Sequence, residues 1–348
     1  MDRKDFISSI VPLGVSVTPI VSLINNQISN HKNFQEISSN KIPKYLVPGN
    51  TIGITCPSGY INPEDIQAAI LKLQEWGFKT TIGKTIGARD FSFAGNDDLR
   101  ATDLQQMLDD EGIDTILFAR GGYGAVRIID RLDFTKFATN PKWIIGFSDA
   151  TVFHLHLNSN FGIATIHSKM CNSFPSDWSK AEPSQIESID TIRKCVTGEK
   201  MEYNFGVNDN NRNGIAEGIL IGGNLSILQN LAASRSDIIT AGKILFIEEV
   251  EEYLYNIDRM LWNLKRSGKL SKLAGLVVGG FNKLKPDDPG EEFGRTTYEM
   301  VLGVTKEYNY PVCFDFPVGH QKNNVALKCG VKHKLIVNSS KCTLTEMR

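Results

Sequence analysis

From residue 50 onward the chain repeats one unit. A short apolar run is followed by a loop rich in Gly or Pro, then by a segment with apolar residues at helical spacing. "TIGITCPSG" is the first such run. Asn62 then offers an N-cap and Pro63 a first helical residue, with Ile66, Ile70 and Leu73 as the apolar face and Gly77 as the stop. Residues 78–82 read as a second strand, and a helix over 97–111 carries Leu104, Met107 and Leu108 on one side. "DTILFA" and "KWIIGF" supply a third and a fourth strand. Strands that alternate with helices pair in parallel, with helices on both faces. Ligands of such sheets sit beyond the carboxyl ends of the strands. Both "RGGYG" (120–124) and "GFSDA" (146–150) fall at such ends.

At 348 residues the chain suits two domains. Residues 172–213 are polar and irregular, with one helix expected near 184–196. After them the pattern restarts with "GIAEGILIGGNLSILQNLAA", a strand "KILFIEEV" and a helix "NIDRMLWNLKRSG" whose Ile257, Met260, Leu261 and Leu264 point inward. Strands "LAGLVVGGF", "PVCFDF" and "KHKLIV" complete this half. The expected fold is α/β: a doubly wound parallel-sheet domain over 46–175, a linker over 176–213, and a smaller mixed α/β domain over 214–348.

The N-terminus, "MDRKDFISSIVPLGVSVTPIVSL", has a basic start and no charge from Phe6 to Asn25. That layout resembles a degenerate twin-arginine export signal and implies a periplasmic protein, with a cytoplasmic one as the alternative. Residues 1–45 therefore read as a signal-like segment and a polar linker. A net charge of −1 leaves no electrostatic footprint for nucleic acid. No segment beyond the N-terminus is long and apolar enough to span a membrane. The six cysteines form no CxxC pair and no cluster at zinc-site spacing, so no metal is expected. Neither a P-loop nor a dinucleotide fingerprint is present, so no cofactor is expected.

Ser148 stands between the apolar run 143–145 and a helix. Such a serine can act as an N-cap alone. Gly146 and Ala150, two residues either side, keep the turn free of bulk and approximate the G-x-S-x-G nucleophile elbow. An elbow pushes the hydroxyl above the sheet and aims the next backbone N–H, that of Asp149, at the same space. The glycine loop 120–124 can offer a second N–H, and two donors make an oxyanion hole.

A serine nucleophile needs a base and an orienting acid. His31 lies in the linker, His154 and His156 on the helix after the elbow, and His333 at an exposed strand start. His320, closing "FPVGH", and then His167, closing "IATIH", are the candidate bases. Glu248 ends the apolar run "ILFIE", while Glu249, Glu251 and Glu252 read as a solvated acidic run.

Seven segments in order carry a resemblance: "TIGITCPSG", "FAGNDDLRATDLQQML", "ARGGYGAVRIIDRLDF", "IGFSDAT", "AEGILIGGNLSIL", "ILFIEEVEEYLYNIDRML" and "FPVGH". Over about residues 48–340 the chain resembles the LD-carboxypeptidase family. These serine peptidases include murein tetrapeptide carboxypeptidases and microcin C self-immunity proteins. The resemblance implies a metal-free triad of Ser148, Glu248 and His320 in a cleft between the two domains. On the residues themselves, the Asp149 and Gly122 amides are the expected oxyanion donors, and Arg120, as an ion partner for a substrate carboxylate or else a structural salt bridge, and Tyr123 are the candidate substrate contacts. The resemblance further implies a small peptide substrate such as murein tetrapeptide, cut before its terminal D-Ala, and a homodimer. Two departures touch the substrate loops: His167-Ser168-Lys169 stands where the family often has H-G-P, and Lys328-Cys329-Gly330 where it tends to have Pro-Leu-Gly. The rival readings are an amide hydrolase acting on a peptidyl-nucleotide toxin and a catalytically silent murein-binding protein.

Overall fold

The computed structural model describes residues 41–347. The signal-like segment, His31 and most of the expected linker lie outside the described residues. The first half contains β1 (Thr51–Thr55), α1 (Gln67–Glu75), β2 (Lys79–Ile82), α2 (Asp97–Asp109), β3 (Thr115–Phe118), α3 (Ala125–Ile128), α4 (Thr135–Thr139), β4 (Trp143–Gly146), α5 (Thr151–Phe161), β5 (Thr165–His167) and α6 (Pro183–Val196). The second half contains β6 (Glu202–Phe205), β7 (Gly214–Asn224), α7 (Leu225–Asn230), β8 (Ile244–Val250), α8 (Leu254–Arg266), β9 (Gly275–Asn282), α9 (Thr297–Thr305), β10 (Val312–Cys313), β11 (Leu327–Cys329), β12 (Lys332–Val337) and β13 (Cys342–Glu346).

Two sheets result, one ordered β11-β5-β4-β3-β1-β2 and the other β10-β9-β8-β7-β12-β13-β6. The first is parallel except for β11, which returns from late in the chain to pair antiparallel with β5. In the second, β7 to β10 are parallel and the β7-β12-β13-β6 side is antiparallel. Alternate strand residues feed two different cores. Trp143, Ile145 and Phe246 enter one, Ile144, Leu245 and Ile247 the other. Helix α1 gives Ala69 and Leu73 to the first core, and α6 gives Ile189 and Ile192. The second core takes Leu104 of α2, Phe153 of α5 and Met260 of α8. Both faces are covered, which is why the strands read as unbroken apolar runs.

Some elements differ from expectation. The helix expected from residue 63 begins as a 3₁₀ turn, Pro63–Ile66, held by a capping box between Asn62 and Asp65. "PVCFDF" forms only the two-residue β10, because the chain turns away with Asp315 at φ 58°. His333 is not exposed. It sits in β12 between β7 and β13, is fully buried, and its Nδ1 lies 3.0 Å from the Val331 carbonyl oxygen. Its flanking lysines misled the reading, since on a strand they face away from their neighbour. Among the described residues no helix is long and apolar enough to cross a membrane.

Candidate active site

β4 runs out at Gly146, and the chain turns sharply. Phe147 is fully extended (φ −146°, ψ −173°), and Ser148 takes φ 63°. Positive φ in a residue with a Cβ costs about 1–2 kcal/mol. Helix α5 follows after a 3₁₀ turn over Ser148–Ala150. Gly146 has to be small: a Cβ there would stand 2.9 Å from the Ala150 Cβ and 3.0 Å from the Phe118 ring. The serine hydroxyl is thus held at the carboxyl end of the sheet, just ahead of a helix N-terminus, where the helix dipole favours negative charge.

The glycine loop after β3 reaches the same spot. A Cβ on Gly121 would lie 3.2 Å from Ser148 Oγ. The loop's shape depends on Gly122 and Gly124, at φ 109° and 140°, a region closed to most other residues. Buried polar groups that the sequence reading passed over fix the loop to the elbow. Asp149 Oδ2 accepts from Ser58 Oγ (2.6 Å) and from the Ala125 amide (2.8 Å). Arg100, fully buried on α2, donates through Nη1 to the carbonyls of Pro57 (2.5 Å) and Gly124 (3.0 Å) and pairs with Asp97. Burial pushes the Asp149 carboxyl above the usual carboxylate range, against the bonds from Ser58 and Ala125. Arg100 was visible only as one cation inside an amphipathic helix pattern. Its role follows from the tertiary packing of α2 beneath both loops.

The other half of the site comes from the second sheet. Glu248 is fully buried near the end of β8, and its Oε2 lies 2.7 Å from His320 Nδ1. His320 Nε2 lies 3.0 Å from Ser148 Oγ. The Phe147 ring packs against the imidazole at 4.9 Å between centroids. Two glycines admit this arrangement. Gly319 (φ 103°) approaches so closely that a Cβ would stand 2.6 Å from the Glu248 Cβ. Gly279 of β9 would place a Cβ 2.5 Å from Val318. The His320 carbonyl also accepts from Asn282 Nδ2 at 3.2 Å. Gly319→Ala is therefore expected to move His320 off Glu248 and to lower kcat by about 10²-fold, the scale of a 1 Å misplacement. Steady-state kinetics beside a melting curve checks this.

Glu249 corrects the expectation of a solvated acidic run. It is 2% exposed and points to the opposite face from Glu248, where its carboxylate accepts from Asn224 Nδ2, the Ser226 amide and the Val250 amide. Burial pushes its carboxyl up to about 7. Adjacent acids are solvated when one face of a strand meets water, but here β8 lies between β7 and β9 with both faces covered. Glu251 and Glu252 lie outside the core. Here one residue of β8, Glu248, lies opposite two of β9, a bulge at Gly279–Gly280.

Burial makes the other described histidines weaker bases than a free imidazole. Burial lowers His154 and His333 to about 4 and pulls His167 well below its ordinary range. His167 is fully buried beside Phe246, and neither ring nitrogen has a hydrogen-bond partner. His154 Nε2 meets the Gly146 carbonyl at 2.9 Å, and His156 Nδ1 meets Ser236 at 2.8 Å. Arg120 Nη1 donates to the Tyr60 carbonyl at 2.8 Å, which ties it to the loop after β1. Tyr123 is exposed at the loop tip, its ring 5.9 Å from that of Phe93. All six cysteines are buried and free, and burial pushes the Cys56 thiol up to about 12. Among the described residues no group of three or more His, Cys, Asp or Glu side chains is arranged to hold a metal ion.

Comparison with known proteins agrees with this architecture. Residues 52–168 match the LD-carboxypeptidase N-terminal domain, and residues 217–335 match the LD-carboxypeptidase C-terminal domain. The chain belongs to the LD-carboxypeptidase family and is a serine-type carboxypeptidase, a hydrolase of peptide bonds. The probable murein peptide carboxypeptidase of Bacillus subtilis (strain 168) is 31% identical over 309 residues, covering 85% of this chain and 91% of that protein. The murein tetrapeptide carboxypeptidase of Pseudomonas aeruginosa is 26% identical, covering 80% of this chain and 91% of its own length. Among solved structures, the muramoyltetrapeptide carboxypeptidase from Oxalobacter formigenes superposes with a TM-score of 0.76 at 29% identity, over 86% of this chain and 99% of that one. The wild-type microcin C7 self-immunity protein superposes with a TM-score of 0.77 at 23% identity, over 88% of this chain and 99% of that one, a likeness of fold.

Proposed function

We propose that the protein releases the terminal D-Ala of murein tetrapeptide, in peptidoglycan turnover or recycling, through a Ser148–His320–Glu248 triad. One observation carries the reading: an unbroken hydrogen-bond chain from Ser148 Oγ through His320 (3.0 Å) to buried Glu248 (2.7 Å). With Nδ1–H donated to Glu248, the Nε2 lone pair faces the hydroxyl. Ser148 attacks the amide carbonyl while His320 takes its proton, then passes it to the leaving amine. Glu248 holds the tautomer and stabilises the imidazolium. The Asp149 and Gly122 amides receive the oxyanion; losing one such donor lowers the rate by about 10²–10³-fold. Water, deprotonated by His320, releases the acyl group and restores the serine.

The substrate assignment draws on the relatives named for murein peptides. The toxin-directed alternative draws on the microcin C7 self-immunity protein of Escherichia coli, 26% identical over 86% of this chain and 94% of its own length. That alternative calls for an aromatic face free to stack on a base. Trp178, the large aromatic of the segment after β5, has Lys72 Nζ over its ring at 4.0 Å. The discriminating experiment compares kcat/KM on murein tetrapeptide and on an aminoacyl sulfamoyl adenosine. The murein reading expects the tetrapeptide to be preferred; a preference for the nucleotide overturns it. Activity is expected to persist in EDTA, because the triad needs no metal; loss in EDTA with recovery in zinc would contradict the mechanism. A homodimer and an exported location belong to the same proposal, on family resemblance and the N-terminal signal pattern respectively.

A further inference from the structure

Strand β5 ends at His167, and the Ser168 amide donates to the Gly146 carbonyl at 3.0 Å, so the chain leaves the sheet beside the serine elbow. Met170 and Ser148 approach the same point of the glycine loop: a Gly121 Cβ would stand 3.4 Å from Met170 Cε and 3.2 Å from Ser148 Oγ. Between Ser168 and Met170 comes Lys169. Its Nζ donates to the carbonyl of Gln321, the residue after His320, at 2.8 Å. It borders a cavity of about 410 Å³ whose lining includes Asn172, Phe174, Lys180, Glu182 and Lys322. Glu182 is paired with Lys322 at 2.5 Å, and Lys180 with Asp177 at 3.0 Å. Among the described residues Lys169 has no carboxylate within salt-bridge distance. An ammonium has three donors, and one is used.

We propose that Lys169 receives the free carboxylate of the residue that leaves, and so makes this chain an exopeptidase for acid-terminated peptides. This rests on the triad reading. His320 delivers its proton to the leaving amine, so the leaving residue departs on the His320 side, where Lys169 and the cavity lie. In a carboxypeptidase that residue carries the terminal carboxylate. Arg120, the candidate from sequence, is held by Tyr60 on the opposite, β1 side of the glycine loop. Burial pulls the Lys169 ammonium down to about 8, which leaves it charged at neutral pH without an ionic partner. A flexible four-carbon stem lets that point charge follow a small carboxylate.

The test uses two synthetic murein tetrapeptides that differ only at the C-terminus, free acid against carboxamide. A charge-assisted hydrogen bond of this kind corresponds to roughly 10–100-fold in selectivity. The wild-type protein is expected to prefer the acid by that factor in kcat/KM. Lys169→Met and Lys169→Gln are expected to bring the ratio near one, and Lys169→Arg to keep it. Lys169→Gln retains a donor for the Gln321 carbonyl, which guards against loss of fold, and circular dichroism checks each variant. An undiminished ratio in either neutral variant overturns the proposal. If the wild-type protein cleaves neither peptide, the proposed function has failed, and the subsite is read by calorimetry on the Ser148→Ala protein. Tighter binding of the acid, lost in Ser148→Ala with Lys169→Gln, supports the subsite; equal binding of acid and amide overturns it.

Discussion

Replacing Ser148 by Ala is expected to lower kcat by about 10⁶-fold while the protein stays folded. The hydroxyl at the elbow faces both His320 Nε2 and the glycine loop. Alanine removes it and adds no bulk, so the oxyanion donors and the cavity remain. The backbone supplies a companion result. At φ 63° the serine is strained, and glycine is not. Ser148→Gly is therefore expected to be as inactive as Ser148→Ala but more stable, by about 1 kcal/mol. Denaturant titration of the three proteins measures it. A Ser148→Ala protein with wild-type turnover would end the serine mechanism.

Glu248→Gln is expected to lower kcat by about 10⁴-fold with little change in KM. Glutamine has nearly the shape of glutamate, so packing against Gly319 is preserved. What changes is the imidazole. A carboxylate accepts the Nδ1 proton and leaves Nε2 free to act as a base, whereas the amide can donate to Nδ1 and favour the wrong tautomer. Glu248 Oε1 has no hydrogen-bond partner, so this buried carboxylate relies on His320 for its compensation. Single-turnover kinetics should show the loss in acyl transfer itself. A fall of less than about tenfold would point to another orienting acid, contrary to the tautomer argument.

Much of this was legible in the sequence, for identifiable reasons. Parallel strands buried on both faces produce apolar runs, and two of these end where a Gly-containing loop must turn, which marked Ser148 and the loop 120–124; Glu248 was marked as the first acid after the run "ILFI", although its strand continues to Val250. His320 was marked only as the residue closing "FPVGH", and its pairing with Glu248 came from the family resemblance; the need for Gly319 beside it, where a Cβ would stand 2.6 Å from the Glu248 Cβ, left no signal in the sequence. Other features left no local signal. β11 pairs with β5 from far along the chain, and Leu327–Cys329 has no pattern of its own. Glu249 and His333 were misread because each has charged neighbours in sequence, and the covering strands and helices that bury them are distant in the chain. Arg100 and Ser58 were overlooked because the groups they bind, Gly124 and Asp149, come from other loops.

The most direct measurement is mass spectrometry of the products from purified murein tetrapeptide. The account predicts equimolar free D-Ala and tripeptide from the wild-type protein, and neither from folded Ser148→Ala. Absence of D-Ala from the folded wild-type protein, or release of D-Ala by Ser148→Ala at the wild-type rate, would contradict it.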